Sequence, residues 1–319
     1  MGLPVLRWLL QGGLLCLASV LTAGTAAAAP DDTRPGHPEP GHVLVLGRIS
    51  DNPKSHYAQL QPLLDYVVPR MRDVGITEGR ILMAPDAQQM ASYLRRGRVD
   101  WVTETSGTAV NLGLRSGAQP LLLTERSGVR DYQTVFFVRR DSPITSLADL
   151  KGHTLALQNV ASTSAYLVPV MTLLQNGLTP EILLSARDAA APDTVGYVFA
   201  RSEANIATFV HKGMVDAGAV SSVDWADPHR IPAAFRRDFR AIHRTEPYPR
   251  AVEVVRAGLD PKVRDRLQQV LLDAASDPQA QDALEKFFGT SGFHRVDAQM
   301  QHRLDELKQG LTRVRMEVE

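Results

Sequence analysis

Hydrophobic and polar positions alternate along this chain with two periods, one typical of strands and one typical of helices. Short apolar runs predict strands at 42–47, 80–84 and 99–103. Segments with apolar residues three or four positions apart predict helices at 55–73 and 87–96. Strands and helices therefore alternate in chain order, and this predicts an α/β fold with a largely parallel sheet covered by helices.

A later segment repeats part of this pattern. The stretch 90–100, MASYLRRGRVD, is similar to the stretch 206–216, IATFVHKGMVD. Each has an apolar helix face, a basic pair, a glycine that ends the helix, and Val-Asp before a strand. Chance is the alternative explanation, because helix ends with glycine are common. Two similar α/β lobes would place a ligand cleft at the carboxyl ends of their strands.

The first 29 residues have the order of a secretory signal. One basic residue, Arg7, precedes an apolar run from Trp8 to Leu21, and the small-residue tract 26–29 follows. The alternative is a membrane anchor, but the run is shorter than the roughly 20 apolar residues that a spanning helix needs. Cleavage near position 29 would leave 290 of the 319 residues, which favours two lobes over a single core. A proline-rich linker is predicted at 30–41.

Composition narrows the function. The chain has 35 basic and 35 acidic residues, and loss of Arg7 with the signal would leave a net charge of −1. Such neutrality argues against nucleic-acid and membrane-surface partners. The only cysteine, Cys16, lies in the predicted signal, so the mature chain has no thiol chemistry. No nucleophile elbow, Walker loop, zinc-protease helix or metal-ligand spacing of histidines occurs, which argues against an enzyme, a metal site and a cofactor.

Three successive hydroxyl residues, Ser162, Thr163 and Ser164, follow a predicted strand at 154–157 and open an apolar helical stretch. One hydroxyl can cap the helix. The others, together with the free N–H groups of the first turn, can hold an anion without a lysine or arginine. A helix cap with no ligand is the alternative. Pro169, beyond the first turn of the predicted helix, is expected to produce a kink.

Other polar residues are predicted to reach the same cleft. Hydroxyl residues follow two predicted strands, although turn chemistry alone also favours serine and threonine there. Tyr57 and Tyr132 can each offer a phenol O–H to a ligand oxygen, the alternative being a core position with a satisfied hydroxyl. The strand-end hydroxyl residues are Thr105, Ser106, Ser221 and Ser222.

At these residues the sequence resembles the periplasmic phosphonate, phosphite and phosphate binding proteins of ABC transporters, the PhnD-like family. The STSAYLVP element is the most specific of the matching stretches, whereas LADLKG is common to many two-lobed binding proteins. The matching stretches are YAQLQPLLDY at 57–66, DYQTVFFVRRDSP at 131–143, LADLKG at 147–152, STSAYLVP at 162–169 and VDAGAV at 215–220.

The resemblance implies a two-lobed type II periplasmic-binding fold with an interlobe cleft and two crossings between the lobes. We expect lobe 1 at 42–134, lobe 2 at 135–224, and a return to lobe 1 with C-terminal helices at 225–319. The implied cargo is a small phosphorus oxyanion (phosphonate, phosphite or phosphate), the implied partner an ABC permease, and the protein a periplasmic monomer. The predicted ligand-binding residues are Ser162, Thr163, Ser164, Tyr57, Tyr132, Thr105, Ser106, Ser202 and Ser222.

Two residues depart from the family pattern. Many relatives carry a pocket histidine where this chain has Ser202. Glu104 stands at a strand end where relatives are expected to be neutral, and a carboxylate beside a dianion costs free energy. Unless Glu104 points to solvent, it favours a monoprotonated oxyanion or an aminophosphonate. A signalling role with a separate sensor partner, or another small anion on the same fold, remains an alternative.

Overall fold

The computed structural model describes residues 43–50 and 52–318. The described residues form two six-stranded sheets and one two-stranded ribbon. The predicted signal at 1–29 and linker at 30–41 lie outside this part of the chain. None of the described helices has the length and apolar character that crossing a bilayer requires.

The elements agree closely with the local sequence patterns. The predicted helix at 55–73 is a helix followed by a 3₁₀ segment, Val68–Val74. The described strands are β1 (Val43–Ile49), β2 (Glu78–Ala84), β3 (Trp101–Glu104), β4 (Gln119–Arg126), β5 (Asp131–Tyr132), β6 (Thr134–Arg139), β7 (Thr154–Leu157), β8 (Thr179–Ile182), β9 (Thr194–Phe199), β10 (Ala217–Ser221), β11 (Phe239–Arg244), β12 (Tyr248–Pro249), β13 (Val252–Val255) and β14 (Thr290–His294). The described α-helices are α1 (Pro53–Val67), α2 (Ala87–Arg95), α3 (Ser106–Ser116), α4 (Val168–Gln175), α5 (Glu203–His211), α6 (Ser222–Ala226), α7 (Ala233–Arg236), α8 (Pro261–Ala274), α9 (Gln281–Lys286) and α10 (Ala298–Glu317).

Each sheet belongs to one lobe. The first has the strand order β14-β4-β13-β3-β1-β2, in which β1 runs parallel to β2 and β3. The second has the order β11-β6-β10-β7-β9-β8, in which β7 runs parallel to β9 and β10. The strands that come late in the chain, β13 and β14, pair antiparallel in the first sheet. The chain therefore leaves the first lobe, builds the second, and returns.

The two crossings pair with each other. Strand β5 leads out of the first lobe and β12 leads back, and they form an antiparallel ribbon with Tyr132 opposite Tyr248. The second sheet includes β11, whose Phe239 packs on Phe137 with ring centroids 4.9 Å apart. The boundary predicted at residue 224 therefore moves to β12, because the open edge of β6 takes up one more strand before the chain returns.

The similar segments adopt the same local structure. Both helices end at a glycine in the left-handed conformation, with φ of 65° at Gly97 and 64° at Gly213. The next N–H in each segment, that of Arg98 or Met214, donates to a carbonyl five residues earlier. This pattern closes a helix with a left-handed residue and turns the chain into the following strand.

The aspartates that follow these glycines also have equivalent partners. Asp100 Oδ2 accepts the backbone N–H of Val45 at 2.9 Å, and Asp216 Oδ2 accepts that of Thr154 at 2.8 Å. Each aspartate thus fastens its strand, β3 or β10, to a parallel neighbour, β1 or β7. The sequence similarity therefore corresponds to the same structural unit in each lobe.

The last helix contacts both lobes. Strand β14 returns to the first sheet as expected, but α10 packs on α3 of the first lobe and α4 of the second. Leu307 is fully buried in a core cluster that includes Met171 of α4. The approach is close at Gly310, where a Cβ atom would lie 2.2 Å from Met171 Sδ. The apolar stripe of α10 therefore faces helices of both lobes.

We expect Gly310→Leu to lower the free energy of unfolding by about 1–3 kcal/mol, because the new side chain overfills the space that Met171 occupies. This loss would occur although leucine is the better helix former. Urea unfolding gives the measurement, and Gln309→Leu on the exposed side of the same helix is the matched control. A Gly310→Leu protein as stable as the control would show that α10 does not need this close approach.

Candidate ligand-binding cleft

A cleft of about 650 Å³ lies between the two lobes. Its walls include the carboxyl ends of parallel strands from both sheets, with Ile49 and Glu104 from the first lobe and Ser221 from the second. Open α/β sheets bind ligands at such strand ends. The volume falls within the roughly 300–1,000 Å³ that small-molecule sites commonly have.

The predicted helix start lies in this cleft, with a local structure that differs from a simple α-helical cap. Ser162 Oγ accepts the backbone N–H of Ala165 at 3.1 Å, so this serine is the cap. The next turn, Thr163–Leu167, is a π-helical turn with Ala165 outside helical geometry at φ −116°. Helix α4 then begins at Val168, which places Pro169 in its first turn, where proline is tolerated. The irregularity expected at Pro169 thus lies just before it.

Thr163 joins the two lobes. Its Oγ1 accepts the backbone N–H of Gly107, at the start of α3, at 3.0 Å. The same hydroxyl donates to Thr105 Oγ1 at 3.1 Å, and Thr105 Oγ1 donates to Thr108 Oγ1 at 3.3 Å. A Cβ on Gly107 would lie 2.7 Å from Thr163 Oγ1, so this approach requires glycine. The start of a helix from each lobe therefore meets at one hydroxyl.

Tyr132 lies at the base of the cleft beside Ser164. Burial raises the pKa of Tyr132, while the Arg250 charge and the nearby hydroxyls of Ser164 and Thr163 act in the opposite direction. The carbonyl of Ser164 accepts the Thr134 hydroxyl at 2.7 Å. The chain at the first crossing therefore carries Tyr132 and also binds the backbone of the helix start. The Ser164 side chain lies at the cleft wall.

Five predicted residues line the cleft, namely Ser162, Thr163, Ser164, Tyr132 and Thr105.

The other four have different positions among the described residues. Tyr57 is 50% exposed on α1, outside the cleft lining. Ser106 is fully buried in the first turn of α3, where its Oγ has no hydrogen-bond partner among the described residues. Ser202 caps α5, and Ser222 Oγ accepts the backbone N–H of Gln133 at 3.2 Å. Ser221, the last residue of β10, lines the cleft, whereas Ser222 begins α6 and contacts the first crossing.

Glu104 is paired rather than solvated. Its side chain is buried, with Oε2 at 3.1 Å from Arg48 Nη1 and Oε1 accepting the backbone N–H of Ile49 at 3.1 Å. The alternative that Glu104 points to solvent does not hold, and the carboxylate is not left unpaired for a ligand ammonium group. A carboxylate that already has a guanidinium and an N–H does not favour a cationic ligand group.

A second mixed cluster lies on the other wall. Arg230 Nη1 is 3.7 Å from Glu203 Oε2, and Arg230 Nε is 3.9 Å from Asp224 Oδ1. Burial, followed by the Asp224 charge, raises the pKa of Glu203. Ser221 Oγ donates to Asp224 Oδ2 and accepts the Asp224 backbone N–H, so the serine caps α6. Within the described ranges no three acidic, histidine or cysteine side chains form a metal site.

The cleft also contains four arginines that no sequence pattern predicted. Single arginines far apart in the chain form no motif, and only the folded lobes bring them together. The four that line the cleft are Arg48, Arg115, Arg230 and Arg250.

A buried polar network lies behind β3. Glu253 accepts hydrogen bonds from Trp101 Nε1 at 2.6 Å, Thr103 Oγ1 at 2.7 Å and Thr124 Oγ1 at 2.5 Å. Arg126 Nη2 donates to the same Thr103 hydroxyl at 2.8 Å. Burial raises the pKa of Glu253 and lowers the pKa of Arg126. The charge of each residue opposes the shift of the other. The network fixes the strand whose end carries Glu104.

Comparison with known proteins identifies the family. Residues 47–300 match the family model described as the periplasmic substrate-binding protein of the ABC phosphonate transporter. The chain belongs to this family. Its members are two-lobed type II periplasmic-binding proteins that bind substrates for a membrane permease and are not enzymes, as the sequence resemblance implied.

Solved structures agree with this assignment. XAC2383 from Xanthomonas citri bound to chloride is 61% identical, with a TM-score of 0.82 over 86% of this chain and 99% of that one. Its ATP-bound structure is 60% identical, with a TM-score of 0.81 over 87% and 99%. PhnD1 from Prochlorococcus marinus in complex with methylphosphonate shares the fold at 17% identity, with a TM-score of 0.59 over 86% and 99%.

We expect Thr163→Val to lower the free energy of unfolding by about 1–3 kcal/mol, because the buried Gly107 N–H loses its acceptor. Thr163→Ser keeps the hydroxyl and should retain most of the stability. Urea unfolding of both variants checks the effect. Equal stability of the valine and wild-type proteins would mean that the hydroxyl bond between the lobes contributes nothing.

Replacing Glu253 by glutamine should lower the free energy of unfolding by about 1–3 kcal/mol, since the amide nitrogen cannot accept and leaves a buried donor without its partner. Glu78→Gln, which removes an exposed ion pair with Arg80, is the matched control and should cost no more than about 1 kcal/mol. The same unfolding experiment compares the two. A Glu253→Gln loss as small as the control would contradict a structural role for the network.

Proposed function

We propose that this protein captures a phosphorus oxyanion in the interlobe cleft and presents it to the permease of an ABC importer. The observation that carries the proposal is the position of the helix start at 162–164 in the cleft wall. Its first backbone N–H groups have no intrahelical acceptor, as at any helix start. Hydroxyls and N–H groups of this kind favour an anion over a neutral or cationic ligand.

The predicted hydroxyl residues have unequal roles in this proposal. Ser162 caps the turn and Thr163 joins the lobes, so both shape the site more than they bind. The Ser164 hydroxyl remains as a donor at the wall, with the Tyr132 phenol behind it. Arg48 adds a guanidinium from the first lobe. An oxyanion placed here would receive hydrogen bonds from both lobes.

The cleft also has room for a substituent on the oxyanion. Its volume of about 650 Å³ is in the range of sites for drug-sized ligands rather than for a five-atom ion. The Xanthomonas citri relative was solved with ATP, a molecule that carries phosphoryl groups on a large substituent. We therefore propose that the cleft recognises a phosphoryl or phosphonyl group and accepts more than one kind of substituent on it.

Ligand binding would favour closure of the lobes. A ligand shifts the balance between open and closed forms only by its greater affinity for one of them. In this proposal, Ser164 on one lobe and Arg48 on the other donate to the same oxyanion when the lobes are together. The closed surface is what the permease recognises in this proposal.

The location of the protein is part of the proposal. The family is periplasmic, and the signal predicted at 1–29 would export this chain. The mature protein would act as a monomer, with its cargo and the permease as partners.

The first experiment is native mass spectrometry of protein purified without refolding, to detect a co-purified phosphorus compound. Calorimetry then titrates stripped protein with inorganic phosphate, methylphosphonate and ATP, and with chloride as a control anion. The proposal is supported if at least one phosphorus compound binds with a dissociation constant well below that of chloride. Binding of chloride alone, or of none of these compounds, rejects it.

Ser164→Ala is expected to weaken binding of the phosphorus compound about 10- to 100-fold, because a hydrogen bond to a charged group contributes about 1.5–3 kcal/mol. Ser202→Ala is the control, since it removes a helix cap outside the cleft lining. It should cost about 1 kcal/mol of stability and leave affinity unchanged. An equal loss of affinity in both variants would place the ligand elsewhere.

A further inference from the structure

Arg250 lies on the second crossing between the lobes, between β12 and β13. Its backbone N–H donates to the carbonyl of Arg130, on the first crossing, at 2.8 Å. The two crossings are thus fastened together at this residue. Arg250 therefore belongs to the crossings that connect the lobes.

The guanidinium of Arg250 reaches the base of the cleft. Its Cζ lies 5.2 Å from the centroid of the Tyr132 ring, within the range of a cation–π contact. The hydroxyl end of the same tyrosine is near Thr163 and Ser164. A single tyrosine side chain therefore contacts both Arg250 and the helix start of the second lobe.

Arg250 and Arg115 are the cleft arginines without a carboxylate partner among the described residues, and of these Arg115 is exposed whereas Arg250 is half-buried. Arg48 and Arg230 face carboxylate oxygens at 3.1–3.9 Å, and Arg115 Nε donates to an amide oxygen at 2.8 Å. Within the described part of the chain, no carboxylate oxygen lies within 4.0 Å of the Arg250 guanidinium. The Arg250 charge even adds to the lowering of the pKa of the buried Arg126.

We infer that Arg250 binds the anionic group of the cargo directly and makes the cleft selective for a group with two free anionic oxygens, an inference that rests on the proposed function. A half-buried guanidinium without a counter-ion gains more from an incoming anion than one already paired. Its planar fork matches two oxygens of a phosphate or phosphonate. The hinge position places this contact where both lobes can reach the same anion.

The test compares wild type, Arg250→Lys, Arg250→Gln and the control Arg264→Gln, whose arginine is exposed on α8 and paired with Asp265. Calorimetry at low salt uses inorganic phosphate and ATP as probes. Arg250→Gln should weaken binding about 10- to 100-fold, since it loses hydrogen bonds to a charged group. Arg250→Lys keeps the charge without the fork and should lose less, and the control should bind like wild type.

Two further readouts separate binding from structure. The affinity lost in Arg250→Gln should shrink as salt is raised, because screening weakens the wild-type contact. The Tm of the ligand-free variant should stay within about 2 °C of wild type, as expected when little stability is lost. A fall of more than about 5 °C in both the lysine and glutamine variants would assign Arg250 a structural role and overturn the inference.

The outcomes are distinct for the two proposals. If wild type binds neither probe, the proposed function fails and the role of Arg250 falls with it. If wild type binds a probe and Arg250→Gln binds it equally well, the assignment of Arg250 alone is overturned.

Discussion

The Thr163 hydroxyl is the point on which the cleft depends, because it accepts an N–H from the opposite lobe. A helix start has N–H groups that its own helix cannot satisfy. Here one such group, that of Gly107, is satisfied by a side chain at the start of a helix in the other lobe. This single bond requires a glycine on one side and a hydroxyl on the other. It brings two partly positive helix starts together and leaves the space beside them suited to an anion.

Charge pairing explains how acidic and basic side chains share the cleft of this neutral protein. Glu104 is neutralised by Arg48, and the carboxylates on the second wall share Arg230. A buried charge is costly unless it is paired, so these pairs allow carboxylates and guanidiniums to stand close to a ligand. Arg250 on the hinge differs, because no carboxylate of the described residues pairs with it. A half-buried guanidinium without a carboxylate partner among these residues thus lies where the lobes join.

Local patterns predicted much of the fold and part of the site. The strand at 154–157 and the helix at 87–96 were predicted closely, since apolar spacing and the stop at Gly97 act within a few residues. The hydroxyl residues at 162–164 were singled out because they stand at the start of an apolar helical stretch. Ser221 and Ser222 could not be distinguished from the sequence, because β10 ends at the first and α6 begins at the second. The lobe boundary was predicted at 224, before β11, because no local sequence pattern indicates which sheet β11 joins.

The sequence by itself determined the α/β elements, the repeated helix and strand units and the family, because these depend on short-range spacing and on motifs within single segments. Only the tertiary structure decided which polar residues share the cleft. Tyr57 is exposed outside it, whereas Arg48 and Arg250, about 200 residues apart in the chain, both line it. The physical reason is that electrostatic pairing depends on distance in space, and the crossings and α10 set that distance only after both lobes have folded.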